Sequence, residues 1–289
     1  ATFENLNLTG TISVTSNANN TLHKDVYVGA MVGLAENCSF KNCQITSTSG
    51  TVTYNASSNS AGTGTVGGYF GKMLNCQYIT GSMTNRLNIT GAASMAYAGG
   101  IAGSVEFTTG TNRTIGVTAV DTLINYGNID FEGSLSKKTI AYGGIFGQVS
   151  ATTSSSSNMT VTFNYNMTNH GKVGSVLSPF AVRDDGAGGG IIGRLGTNGN
   201  FATYNLNGVC FNASDSLVSR YYSGGLIGKF EGGALYINNK VTNYGSIQGT
   251  AKAGGIIGYM ASSYAKINVN QDKGLLFNNG NIMGIDAAG

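Results

Sequence analysis

Glycine clusters, an acid pair, cysteines and histidines are the residues of this 289-residue chain whose types and spacing could do chemistry. Glycine-rich turns such as "GAGGGIIG" (186–193) can cradle phosphate when a buried strand precedes them, a helix follows, and an acid lies about twenty residues on. No helical pattern follows here, and near-copies of the cluster recur seven times, so a nucleotide site is excluded. Asp184-Asp185 is the one adjacent acid pair among thirteen acids, placed after Pro179 and Arg183. Paired carboxylates drive glycoside hydrolysis, but an adjacent pair in a loop is ordinarily a solvated turn. His23 and His170 stand far from any cysteine pair, which removes zinc-type spacing. The chain is therefore expected to have no catalytic residues, no cofactor and no metal site.

The glycine clusters instead mark a repeat. "YVGAMVG" (27–33), "TVGGYFG" (65–71), "YAGGIAG" (97–103), "AYGGIFG" (141–147), "AGGGIIG" (187–193), "YSGGLIG" (222–228) and "KAGGIIG" (252–258) follow one another at intervals of about 30 to 46 residues. All but the first, with Gly29-Ala30, carry the full diglycine. A second beat, Asn-x-Gly-x-Ile/Val, falls between them at 125–129, 169–173, 243–247 and 278–282. Runs such as "MTVTFNYNMTN" (159–169) alternate apolar and polar residues, as strands do.

Units of this kind cannot bury their own apolar face, but stacked units can. The chain is predicted to be all-β: a parallel β-helix of seven or eight coils with three short strands per coil, forming a single elongated domain over 1–289. The glycines are assigned to corners, where positive φ or close backbone approach is needed. The asparagines of the second beat suit left-handed turns and can stack their amides on the next coil. Of the two apolar residues after each diglycine, one column is expected to face the core and the other a corner or packed loop. Variable stretches such as "NASSNSAGTG" (55–64) and "ATTSSSSN" (151–158) read as loops budding from a constant frame.

"VGAMVGLAENCSFKNCQITS" (28–47) and "VGGYFGKMLNCQYITGS" (66–82) resemble the GLUG-type repeat of large bacterial surface proteins and adhesins. The later units resemble related Gly-Gly-Ile-x-Gly repeats. The resemblance implies a β-solenoid outside a cell and brings no catalytic residues with it.

Cys38 and Cys76 occupy equivalent positions in adjacent coils, about 4.8 Å apart, within the Cα window of a disulfide. Such a bridge is possible, with Cys43 and Cys210 left over; buried free cysteines are the alternative. Asn7, Asn19, Asn37, Asn55, Asn88, Asn112, Asn158, Asn166 and Asn212 begin Asn-x-Ser/Thr sequons, a mild excess over chance. Tyr27, Tyr97 and Tyr222 recur before the diglycine, and Tyr126 and Tyr244 sit in Asn-x-Gly corners. They are candidates for stacking sugars, or simply cover glycine backbone.

With a net charge of +3 and Lys137-Lys138 the only adjacent basic pair, no footprint for nucleic acid exists. No apolar run approaches a membrane span. Neither end carries an obvious cap, so end-to-end self-association into a filament or coat is expected, on an extracellular or cell-surface glycoprotein whose leader has been removed. A segment of a surface adhesin that binds glycans or a host partner is the alternative, and a polysaccharide-active enzyme a minor one.

Overall fold

In the computed structural model the chain is a right-through stack of parallel strands. The structure describes residues 1–18, 25–56, 63–77, 79–91, 95–117, 120–131, 140–152, 159–174, 186–197, 201–213 and 215–284. One column shows the continuity. Val14, Val52, Ile89, Ile129, Val173, Val218, Ile247 and Ile282 are register partners from one coil to the next, always in parallel.

A coil begins with a strand that ends in the first repeat glycine, as in Met95–Gly99, bends over the second, and leaves as Ala102–Phe107. It continues through Asn112–Ile115, Thr122–Asn125 and Ile129–Phe131. A full coil thus carries five short strands rather than the three expected. The run 159–169 shows why. It divides into Thr160–Phe163 and Asn166–Asn169, yet its in–out alternation passes through the bend in phase. Periodicity therefore gives no sign of the corner. A stack of amides turns it: Asn238 donates to Asn207 (2.8 Å) and Asn207 to Asn164 (2.7 Å).

Both apolar columns after the diglycine enter the same core. Ile101 and Ala102, Ile145 and Phe146, Ile191 and Ile192 are all buried in one cluster, because the bend between them turns both side chains inward. Neither column is left for a packed loop.

Close approach, not positive φ, fixes the repeat glycines. A Cβ on Gly143 would lie 1.9 Å from the Phe146 carbonyl oxygen across the bend. On Gly144 it would meet Gly190 O at 2.1 Å and Asn169 Cγ at 2.3 Å; on Gly147 it would meet the Ala98 backbone of the preceding coil at 2.6 Å. Left-handed asparagines do occur, but at Asn5, Asn37, Asn42 and Asn75 rather than in the Asn-x-Gly beat.

The asparagines of that beat form a buried ladder. Asn85 donates to Asn125 (2.8 Å), Asn125 to Asn169 (2.9 Å), Asn169 to Asn212 (3.0 Å), Asn212 to Asn243 (2.7 Å) and Asn243 to Asn278 (2.7 Å). The second repeat glycine of each of these coils is the seat of the ladder residue. In the first coil the equivalent position holds Ser47, whose hydroxyl donates to Ser49 O at 2.6 Å. This is also the one coil whose second repeat position is not glycine but Ala30.

Candidate functional site

The ends of the stack are where strands stop finding partners. At the C-terminal end the strands Ile257–Met260, Lys266–Val269, Leu276–Asn278 and Ile282–Gly284 each pair on one side only, as does the segment Lys252–Gly254. At the N-terminal end Val26–Gly29, Val32–Glu36, Thr2–Glu4, Asn7–Leu8 and Ile12–Ala18 do the same. Among the described residues, five edges at each end are paired on one side only. Unpaired N–H and C=O rows of this kind template further strands.

The edges carry apolar side chains cut off from a continuing core. Tyr264, Leu276, Phe277, Ile282 and Met283 are exposed at one end, and Phe3, Leu6 and Leu34 at the other. Phe3 stacks on Phe40 of the next coil (5.2 Å, 13°) and leaves its outer face bare. Charge divides between the ends as well. Among the described residues Glu4, Asp25 and Glu36 are exposed at the N-terminal end, while Lys252, Lys266 and Lys273, with Asp272, are exposed at the other. Lys41 of the second layer lies 3.7 Å from Glu4.

Of the sequon asparagines, Asn7, Asn37, Asn55, Asn88 and Asn112 are exposed and Asn166 is half-buried. Asn212 is a ladder residue, 1 % exposed, with its amide donating to Asn243. The folded chain offers no access to it. Asn19 and Asn158 lie outside the described residues, as do Asp184-Asp185 and Lys137-Lys138.

All four cysteines are free thiols in this structure. Cys76 donates to Ala35 O at 3.3 Å, and Cys43 to Lys41 O at 3.5 Å. Burial pushes the Cys76 thiol above its ordinary value, and the fully enclosed Cys210 up to about 12. Among the described residues no group of three or more His, Cys, Asp or Glu side chains converges on a metal position. Among the described residues no helix is long and apolar enough to cross a membrane.

Several of the candidate tyrosines already contact the protein's own cations or rings, while Tyr126 and Tyr244 remain 42 % exposed. Tyr126 lies between the Arg86 guanidinium (4.5 Å) and the His170 ring (4.6 Å, 11°). Lys72 sits over Tyr27 at 5.5 Å, and Lys252 over Tyr259 at 3.5 Å; Tyr222 packs on Tyr259 at 4.6 Å. Beside them a charged seam runs along the post-glycine strands: Lys72 bonds Glu106 (2.6 Å), while Glu231 accepts from Arg194 and from Lys229 (2.9 Å). Buried, well-bonded pairs of this kind fix an arrangement more than they add stability.

Sequence reasoning missed the division of charge between the ends, because it emerges only once widely separated residues share a surface. It also passed over Tyr69 as one more apolar column residue, although it is the only tyrosine where later coils have Ile or Leu. Its hydroxyl accepts from Ile45 N (2.9 Å) and Thr84 N (3.3 Å) and donates to Thr84 O (3.2 Å). No protein-family model matches the chain, and comparison with curated proteins and with solved structures gave no match to either.

Proposed function

We propose that this chain is a structural, non-catalytic surface protein that assembles head to tail, the last coil of one copy pairing with the first coil of the next. The observation that carries the reading is the matched pair of ends: five open edges against five, apolar cross-section against apolar cross-section, acidic against basic. In that arrangement Lys252 of one copy stands in register with Tyr27 of the next, extending the column Tyr27, Thr65, Tyr97, Ala141, Ala187, Tyr222 and Lys252 from copy to copy. A contact between two different surfaces does not close on itself, so it yields filaments. Extracellular placement and a glycan coat rest on the exposed sequons and on the likeness to GLUG-type surface repeats.

Sedimentation velocity and negative-stain microscopy test the assembly. Wild-type protein is expected to form rods of varied length at low salt that shorten at high salt, as screened end charges require. The double variant Lys252→Glu, Lys266→Glu is expected to stay as single short rods while keeping its melting temperature. Monodisperse single rods of the wild type at high concentration and low salt would overturn the proposal.

A further inference from the structure

Coils one and two part company at one place. Gln44–Ile45 and Met83–Asn85 lie on the same face of the stack but belong to different sheets, and the Tyr69 phenol stands between them in place of a ladder bond. Beside the phenol the parted strands leave an open cavity of about 320 Å³, lined by Gln44, Thr46, Ser47, Ser82, Thr84 and Arg86. Ligand pockets run from about 300 to 1,000 Å³, so this one admits a single ring rather than a chain.

The lining has a definite chemistry. It holds hydroxyls and an amide, which match a ligand rich in hydroxyl groups, and one cation. No carboxylate among the described residues lies within ion-pair reach of Arg86. Its guanidinium is instead held by stacking on Tyr126, which His170 backs in turn. A planar fork fixed by stacking, with its N–H groups unspent on protein carboxylate, is suited to bidentate recognition of a carboxylate. One coil nearer the N-terminus the equivalent position is Thr48, exposed and short, so nothing as large as Arg86 fills the space ahead of it.

We propose that this cavity binds one acidic monosaccharide unit, its carboxylate on Arg86 and its hydroxyls on Gln44, Ser82 and Thr84. The site opens on the side of the rod, one strand in from the N-terminal open edge at Asn7–Leu8, and none of its lining residues belongs to that edge, so ligand binding is read separately from head-to-tail assembly.

Ligand-observed saturation-transfer NMR reads the interaction whatever the size of the assembly. Glucuronic acid is expected to receive saturation with a millimolar dissociation constant, and glucose to receive little. Arg86→Gln is expected to weaken glucuronic acid at least about tenfold, and Arg86→Lys by less, since the charge stays but the fork is lost. Arg86 is exposed, so both variants should melt with the wild type, which a thermal scan checks. Equal transfer to glucose, full displacement by equimolar acetate, or unchanged binding to Arg86→Gln would each overturn the proposal.

Discussion

At Asn169 every hydrogen-bonding position of the side chain is taken. Its amide donates to Gly171 O (2.9 Å) and Asn212, and its oxygen accepts from Asn125 and from Gly171 N (3.2 Å). Replacing it by alanine strands a buried donor above and an acceptor below, each worth about 1–3 kcal/mol. Asn169→Ala is therefore expected to lower the unfolding free energy by about 2–4 kcal/mol in a urea titration. Asn278→Ala, at the exposed end of the same ladder, should cost under about 1 kcal/mol. The ladder was half-legible in the sequence. Asn125, Asn169, Asn243 and Asn278 announce themselves as Asn-x-Gly, but Asn212 is followed by Ala-Ser and reads as a glycan acceptor, while Asn85 precedes Arg-Leu. What places those two in the ladder is their depth in the stack, which local pattern does not carry.

The unit above the residue is the bend that each diglycine makes, and its three glycines answer to three different neighbours. Gly144→Ala sets a methyl group on the Gly190 carbonyl and the Asn169 amide, both rigidly held, so neither can give way. This substitution is expected to cost more than about 3 kcal/mol or abolish folding, whereas Ala30→Gly should change stability by less than about 1 kcal/mol. Circular dichroism melts of the two variants decide the matter. The bends and the solenoid itself could be read from the spacing of glycines, since spacing is what a stacked repeat conserves within its own chain. The corner at Asn164 could not, because a turn that keeps the in–out phase leaves the alternation untouched.

Over the molecule as a whole, burial has one consistent electrostatic result. Tyr69, Tyr97, Tyr165 and Tyr204 are pushed above their ordinary 10.0, and Cys76 and Cys210 above 9.0, chiefly by desolvation. These groups hold their protons in the folded state at a pH where the unfolded chain releases them. Their contribution is complete below about pH 9 and shrinks as pH rises past the unfolded values. The melting temperature is expected to be level from pH 7 to about 9 and to fall steeply from 9 to 11; a level profile to pH 11 would contradict this account. The open ends, by contrast, were visible in the sequence only as missing caps. Their sign of charge needed Glu4 and Glu36, or Lys252 and Lys266, to be brought onto a common surface.

The asparagine ladder also sets a symmetry. Asn85, Asn125, Asn169, Asn243 and Asn278 each spend one amide N–H on the carbonyl two positions on, and every bond between ladder residues is donated by the N-terminal member to the next coil. Two copies related by a dyad and meeting through their C-terminal ends would set donor against donor at Asn278 and lysine against lysine around it. The row of amides thus acts as an arrow along the rod. It disfavours a closed two-fold pair through the C-terminal ends, which is what the proposed head-to-tail contact requires.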